Sequence, residues 1–207
     1  DVDLLVPAAE MLQDAGADII DLNMGCPMPK ITRQGKGAAL MREPAETAEL
    51  LRALRRVCRV PFTVKIRGGW DDEHLNAVEV ARVAEDCGVD AIVVHPRTRS
   101  QRFTGKAPWE IIRDVVEAVR VPVTGNGDVT SMSDAREMMA LTGCASVMIG
   151  RGALGRPWVF DEGYEALPPA EQWRYRERAI GRHIELIESN FADNPRIIGI
   201  IARQCRK

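Results

Sequence analysis

Short apolar runs alternate along the chain with longer stretches in which apolar residues recur every three or four positions. The short runs read as strands: ADIIDLN (17–23), VPFTVKIR (60–67), VDAIVVHPR (89–97), VPVTGNGD (121–128) and CASVMIGRG (144–152). The longer stretches read as helices over 43–57, 73–86, 109–119 and 133–141, the first with Leu50, Leu51, Leu54 and Val57 on one side. The opening DVDLLVPAAEMLQDAG also has helical character. After Phe160 the rhythm changes. Leu167, Pro168 and Pro169 suggest a linker. The stretch 170–190 predicts a long helix with Trp173, Ile180, Ile184 and Ile187 along one side, and another helix is expected from near Pro195.

A repeated strand–helix unit with short connections predicts a parallel sheet. The strands are rich in Val and Ile, as expected when both faces are covered. GAD (16–18), GVD (88–90) and GCA (143–145) each place a glycine where a helix should end. A doubly wound sheet and a (β/α)8 barrel both satisfy this pattern. The polar residues separate them. Each predicted strand ends in reactive or polar chemistry: Asn23 and Cys26, Lys65 and Arg67, His95 and Arg97, Asn126 and Asp128, Gly150 and Arg151. Barrels build sites from many strand ends, whereas an open sheet binds at one switch point. The expectation is therefore an α/β (β/α)8 TIM barrel lacking its first three strands, which would lie upstream of Asp1. The barrel part would occupy 1–163, and the beginning of an all-α domain 168–207.

Composition changes this picture little: 45% of residues are hydrophobic and 28% charged, as in ordinary globular chains. The formal net charge of -2 provides no global field for nucleic acid or anionic lipid, so any polyanion site must be local. No apolar run approaches the ~20 residues of a membrane span, and no secretory leader pattern opens the chain. The five cysteines are scattered, without CxxC pairs or zinc-like Cys/His spacing. No metal and no membrane are expected, and the location is expected to be cytoplasmic. A monomer is the expectation for the full-length protein.

The stretch DLNMGCPMPK (21–30) breaks a buried strand at Asn23 and sets Cys26 between a glycine and a proline. A free cysteine is usually a small buried hydrophobe. That reading suits Cys58, Cys87 and Cys144, which flank helix ends and strand starts, but suits Cys26 poorly. Lys65, inside TVKIR, is costly to bury unless paired. It is either a snorkelling strand-end lysine or a fixed positive charge beside an electron-rich ring. His95 is either a satisfied structural histidine or a strand-end ligand group. TGNGDV (124–129) and IGRGALGRPW (149–158) close the last two strands with glycines, which suit tight turns or backbone contact with an anion. At the last two strands of a barrel the second use is favoured. Neither is a P-loop, since GxxxxGK[ST] does not occur.

Together these segments resemble the tRNA-dihydrouridine synthases, flavoenzymes that reduce uridine in tRNA, and within them the bacterial B type. The resemblance runs almost continuously to about Phe160. It is carried by IDLNMGCPMPKITRQGKGAALMREP (20–44), VKIRGGWDD (64–72), HPRTRSQRFTGKAPW (95–109), GNGDV (125–129) and VMIGRGALGRPWVF (147–160). It implies an FMN-containing barrel followed by a helical tRNA-binding domain. It implies Cys26 as proton donor, and Lys65 and His95 as flavin contacts. Asn126, Gly127 and Asp128 would line the ribityl and phosphate region, Gly150 and Arg151 would grip the phosphate, and Asn23 would sit near the uracil.

The chemistry so implied is hydride delivery from FMN, reduced by NADPH, to C6 of uracil and a proton from Cys26 to C5. A cysteine thiol ordinarily titrates near ~8.5 and is protonated at neutral pH, which suits an acid. A uridine buried in folded tRNA must be flipped out to react. Two basic loops, Lys30, Arg33 and Lys36, and Arg97, Arg99, Arg102 and Lys106, are expected to meet the phosphodiester chain, with Arg97 and Arg99 as substrate contacts. Arg174, Arg176, Arg178 and Arg182, interleaved with Trp173 and Tyr175, would extend that surface. Two alternatives are an FMN-barrel dehydrogenase of free pyrimidines and a non-catalytic RNA-binding remnant.

Overall fold

The computed structural model describes residues 2–192; the helix expected near Pro195, and Cys205, lie outside that range. Five strands form one parallel sheet: β1 (Ile20–Asn23), β2 (Phe62–Arg67), β3 (Ala91–His95), β4 (Val123–Asn126) and β5 (Ser146–Met148). Their order in the sheet is their order in the chain. That settles the choice between the two parallel architectures. A doubly wound sheet reverses its strand order at a switch point, whereas a barrel winds steadily in one direction. Eight such units close a ring; five are present among the described residues.

Among the described residues, seven α-helices accompany the strands: α1 (Val2–Asp14), α2 (Pro29–Thr32), α3 (Pro44–Val57), α4 (Ala77–Asp86), α5 (Glu110–Ala118), α6 (Met132–Thr142) and α7 (Pro169–Asn190). In α3 the apolar stripe buries Leu50, Leu51 and Leu54, as its spacing predicts. α1, α4 and α6 give way to Gly16, Gly88 and Gly143, all with left-handed backbone.

α4 starts four residues later than its pattern suggests. Asp71 Oδ1 accepts the Glu73 N–H and meets His74 Nδ1 at 2.6 Å. The N–H groups of Asn76 and Ala77 both donate to Gly68 O. These local bonds offer the backbone an alternative to the first helical turn. α2 and the 3-10 segment Gly37–Arg42 lie where the pattern predicts no element. β5 is shorter than its apolar run, because a 3-10 turn begins at Arg151.

The two faces of the sheet differ. Phe62, Val64, Ile66, Ile92 and Val94 are fully buried, and Val123 nearly so. The expected covering is complete on this face. On the other face Thr63, Lys65, Ala91, Val93 and Thr124 are half-buried, Arg67, His95 and Asn126 are buried at the strand ends, and polar pairs occur. Thr63 Oγ1 donates to Asp21 Oδ1 at 2.7 Å, and Thr124 and Ser146 share a hydroxyl bond at 2.7 Å. Period-two alternation sends the apolar set to the core and leaves this second face for chemistry.

By packing, the chain divides into two compact units. One is Asp1–Asp128 with Arg136–Met148, which holds the whole sheet; the other is Val129–Ala135 with the segment from Ile149 onward. In the second unit, Trp158, Tyr164 and Tyr175 cluster with ring centroids 5.8 and 5.4 Å apart. Arg176 lies over the Trp158 and Tyr164 rings and donates to the Tyr164 hydroxyl. The expectation of Arg176 on an RNA-facing surface is corrected here: this side chain fastens α7 to the 157–166 segment.

Candidate active site

The site grows from the C-terminal ends of β1 to β4. Asn23 ends β1 and its Oδ1 accepts the N–H groups of Gly25 and Cys26, at 3.0 and 3.1 Å. That side-chain turn sets the direction of the thiol loop. The Cys26 carbonyl accepts the Ala38 N–H at 3.0 Å. Gly37 passes directly behind it: a Cβ there would stand 2.8 Å from Cys26 O and 2.9 Å from Cys26 Cβ. Only a glycine permits that approach. Cys26 is half-buried, whereas Cys58, Cys87 and Cys144 are buried, as their positions suggested.

β2 carries Lys65 and Arg67 on one face. Lys65 Nζ donates to Asn126 Oδ1 at 3.0 Å, and Asn126 Nδ2 donates to Met148 O at 2.8 Å. The chain of bonds fixes which way the Asn126 amide points. Burial, with Arg67 adding to it, lowers the Lys65 pKa to about 8. Arg67 is buried and ties three segments together. Its Nε donates to Gly25 O at 2.7 Å, and its Nη1 to Thr98 O at 2.8 Å and Arg102 O at 3.1 Å. Burial and the neighbouring Arg97 lower its pKa to about 10, while Cys26 is near enough to act in the opposite sense.

His95 ends β3 and is buried. Its Nδ1 accepts the Arg97 N–H at 3.3 Å, which leaves Nε2 to carry the proton. Burial, then the positive charges of Arg67, Lys65 and Arg97, hold its pKa down to about 3. His95 is therefore neutral at physiological pH and offers a hydrogen-bond donor, not a charge.

After β4, Asp128 Oδ2 accepts from Arg97 Nη2 at 2.7 Å and from the Ala107 N–H at 2.8 Å. Gly127 O accepts the Trp109 Nε1–H at 3.0 Å. Arg97 is only 1% exposed, and its remaining bonds go to Thr104 O and Gly105 O. The expected contact between Arg97 and an RNA backbone is thus corrected: this guanidinium is turned inward to hold its own loop. Arg99 is half-buried and lies 4.6 Å over the Trp70 ring, with Arg42 at 4.8 Å from the same ring. Lys30, Arg33, Lys36, Arg102 and Lys106 are exposed.

The structure thus brings together Asn23 with Cys26, Lys65 with Asn126, and His95 with Arg97 and Asp128. Gly150 and Arg151 belong to the second unit. There Gly150 O accepts the Ala153 N–H at 3.0 Å, and Gly152 packs so tightly on Val129 and Thr130 that a Cβ would stand 2.5 Å from Val129 O. Arg67, named among the polar strand ends but given no role, and Gly37, not singled out at all, are the residues whose part in the site the sequence did not reveal. Arg67 stood in plain view two positions after Lys65, the spacing that puts both on one face of a strand.

Chemically, the cluster is a half-buried thiol near the Arg67 guanidinium, which in turn neighbours the Lys65 ammonium and one neutral imidazole donor. Such a set can hold an electron-rich ring and deliver a proton. Among the described residues no group of His, Cys, Asp and Glu could hold a metal ion, and no helix is long and apolar enough to cross a membrane.

The fold and these strand ends define a parallel α/β protein of the barrel class with an anion-favouring site. The chain belongs to the dihydrouridine synthase family, whose pattern it matches over residues 1–204. It is 42% identical over 193 residues to the tRNA-dihydrouridine synthase B of Xanthomonas axonopodis pv. citri (strain 306), covering 90% of this chain and 58% of that protein. To the same-named protein of Pseudomonas putida it is 40% identical over 210 residues, covering 99% and 61%. The chain therefore spans about three fifths of the length of these relatives. Among solved structures, mandelate oxidase with 3,3-difluoro-2-hydroxy-3-phenylpropionic acid matches with a TM-score of 0.53 and 27% identity, over 74% of this chain and 47% of that one.

Proposed function

We propose that this chain serves the FMN-dependent reduction of uridine to 5,6-dihydrouridine in tRNA, in the cytoplasm, with NADPH as reductant. The observation that carries the reading is the placement of Cys26 on a loop fixed by Asn23 and by Arg67, the guanidinium whose charge also bears on Lys65 and on a neutral His95. Membership of the family supports it.

The donor set fits a flavin. Lys65 offers an ammonium that favours negative charge, His95 offers Nε2–H, and Asn126 has its amide fixed between Lys65 and Met148. Lys65 and His95 would face the ring, Asn126, Gly127 and Asp128 the ribityl chain, and Gly150 and Arg151 the phosphate. When bound and reduced, FMN supplies the hydride for C6 of uracil. This chain's residues supply the rest. Asn23 would orient the uracil. Cys26 Sγ–H would protonate C5 as negative charge develops there, leaving a thiolate near the Arg67 guanidinium.

Exposed Lys30, Arg33 and Lys36, just beyond Cys26, would receive the RNA backbone, with Arg99 nearby. We assign catalysis to 1–163 and RNA binding to 168–207, a division by role and not by packing. The test is direct. The protein with FMN, NADPH and unmodified tRNA should yield dihydrouridine in digested nucleosides. Turnover of free uracil or orotate instead would mark a free-pyrimidine enzyme, and tRNA binding without flavin binding a non-catalytic module.

A further inference from the structure

Three connections meet on one indole ring. Trp70 lies in the connection after β2, Arg99 in the one after β3, and Arg42 at the end of the 3-10 segment that follows the thiol loop. The Arg99 and Arg42 guanidinium carbons stand 4.6 and 4.8 Å from the centre of the Trp70 ring. The backbone builds this meeting. Arg99 N–H donates to Gly69 O at 2.9 Å and Ser100 N–H to Trp70 O at 3.0 Å, which zips two of the connections together. A Cβ on Gly68 would strike Pro96 O, so glycine is what lets them approach. Asn76 Nδ2 donates to Met41 O at 2.6 Å and ties the residue before Arg42 to the connection that carries Trp70.

Two cations gathered on one ring repel each other, and no carboxylate neutralises them. Among the described residues neither Arg42 nor Arg99 makes a side-chain hydrogen bond or an ion pair, and Arg99 Nε is buried without an acceptor. Asp71, one residue after the ring, is taken by His74 Nδ1 and the Glu73 N–H. Exposed Glu43 and Asp72 pair with neither arginine. A guanidinium held over an aromatic ring keeps its fork of N–H groups oriented, so little freedom is lost when the fork closes on phosphate oxygens. We infer that Arg42 and Arg99, aligned on Trp70, clamp one phosphodiester group of the substrate polynucleotide. The clamp takes phosphate oxygens and not a base, because the guanidiniums already occupy the ring. This rests on the tRNA reading above. NADPH carries the same phosphate chemistry, but Arg42 shares the β1–α3 connection with exposed Lys30, Arg33 and Lys36, a path suited to a polyanion. A pin that only fastens the three connections is the competing structural role.

The test is the affinity of the protein for an unmodified tRNA transcript, measured over a range of salt. The variants are Trp70→Leu, the pair Arg42→Lys with Arg99→Lys, and the pair Arg42→Ala with Arg99→Ala. Trp70→Leu and the lysine pair keep every charge but lose the oriented forks. Each should bind ~5- to 30-fold more weakly, the equivalent of two cation–π contacts, with the salt slope near wild type. The alanine pair should flatten the slope by ~0.7–0.9, the value for one shared phosphate. A change of about twice that overturns the clamp, since each arginine would then meet its own phosphate. Wild-type affinity in the lysine pair overturns it as well, because charge alone would suffice. So does wild-type affinity in Trp70→Leu with only thermal stability lowered, which would mark a pin. A rise confined to the KM for NADPH in flavin reduction, with tRNA affinity unchanged, overturns the polynucleotide assignment. If the wild type itself binds no tRNA, the functional reading fails first and takes this proposal with it.

Discussion

His95→Gln makes the electrostatics of the site measurable. Gln keeps an acceptor for the Arg97 N–H and removes the titrating ring. The wild-type imidazole has an ordinary pKa of 6.5 and one of about 3 in the folded protein. Its folded value is depressed, so the unfolded chain binds the proton more readily. The stability this group contributes is fully present above the unfolded value and is lost as pH falls from 6.5 toward 3. At ~1.4 kcal/mol per pKa unit, the loss between pH 7 and pH 5 is about 2 kcal/mol. Urea unfolding at these two pH values and equal ionic strength measures it. Wild type should lose about 2 kcal/mol more than His95→Gln on acidification, because every other titrating group is common to both. Identical pH dependence in the two proteins would refute the buried, neutral imidazole.

Other expectations follow from the same cluster. Lys65 loses its charge as pH rises through about 8, so FMN affinity should fall across that range, while Lys65→Met should bind weakly and without that pH limb; fluorescence titration with FMN reads both. Gly37→Ala places a methyl group 2.8 Å from Cys26 O at a left-handed position. A cost of ~1–3 kcal/mol in urea unfolding is expected, with slower turnover from the displaced thiol. Lys30→Glu and Arg33→Glu should weaken tRNA binding and flatten its salt dependence by about one unit of slope for each phosphate left unpaired, whereas unchanged slopes would take these residues off the RNA path.

Much of this was legible in the chain, and the reasons are physical. Strand periodicity and glycine stops depend on local geometry, so β1 to β4 and the helices other than α2 fall near their predicted places. The barrel winding could be argued from polar strand ends, because a side chain at the end of a strand needs no long-range knowledge. What failed depended on distant partners. Arg97 reads as a surface base in HPRTRSQRF until Asp128, 31 positions later, draws it inside. Arg176 reads as part of a basic stripe until Trp158 and Tyr164 claim it. Gly37 carries no signal until its close approach to Cys26 is seen. Arg67 was visible, but its four carbonyl partners lie on two different loops, and only the fold assembles them.

The proposed mechanism stands or falls on Cys26 giving the proton to C5 of uracil. One anaerobic turnover of NADPH-reduced, FMN-loaded protein on unmodified tRNA, for wild type and Cys26→Ala, reads that step alone. Equal flavin reduction by NADPH is expected in both, with dihydrouridine formed by the wild type alone. Dihydrouridine formed by Cys26→Ala at the wild-type rate would show that another group supplies the proton.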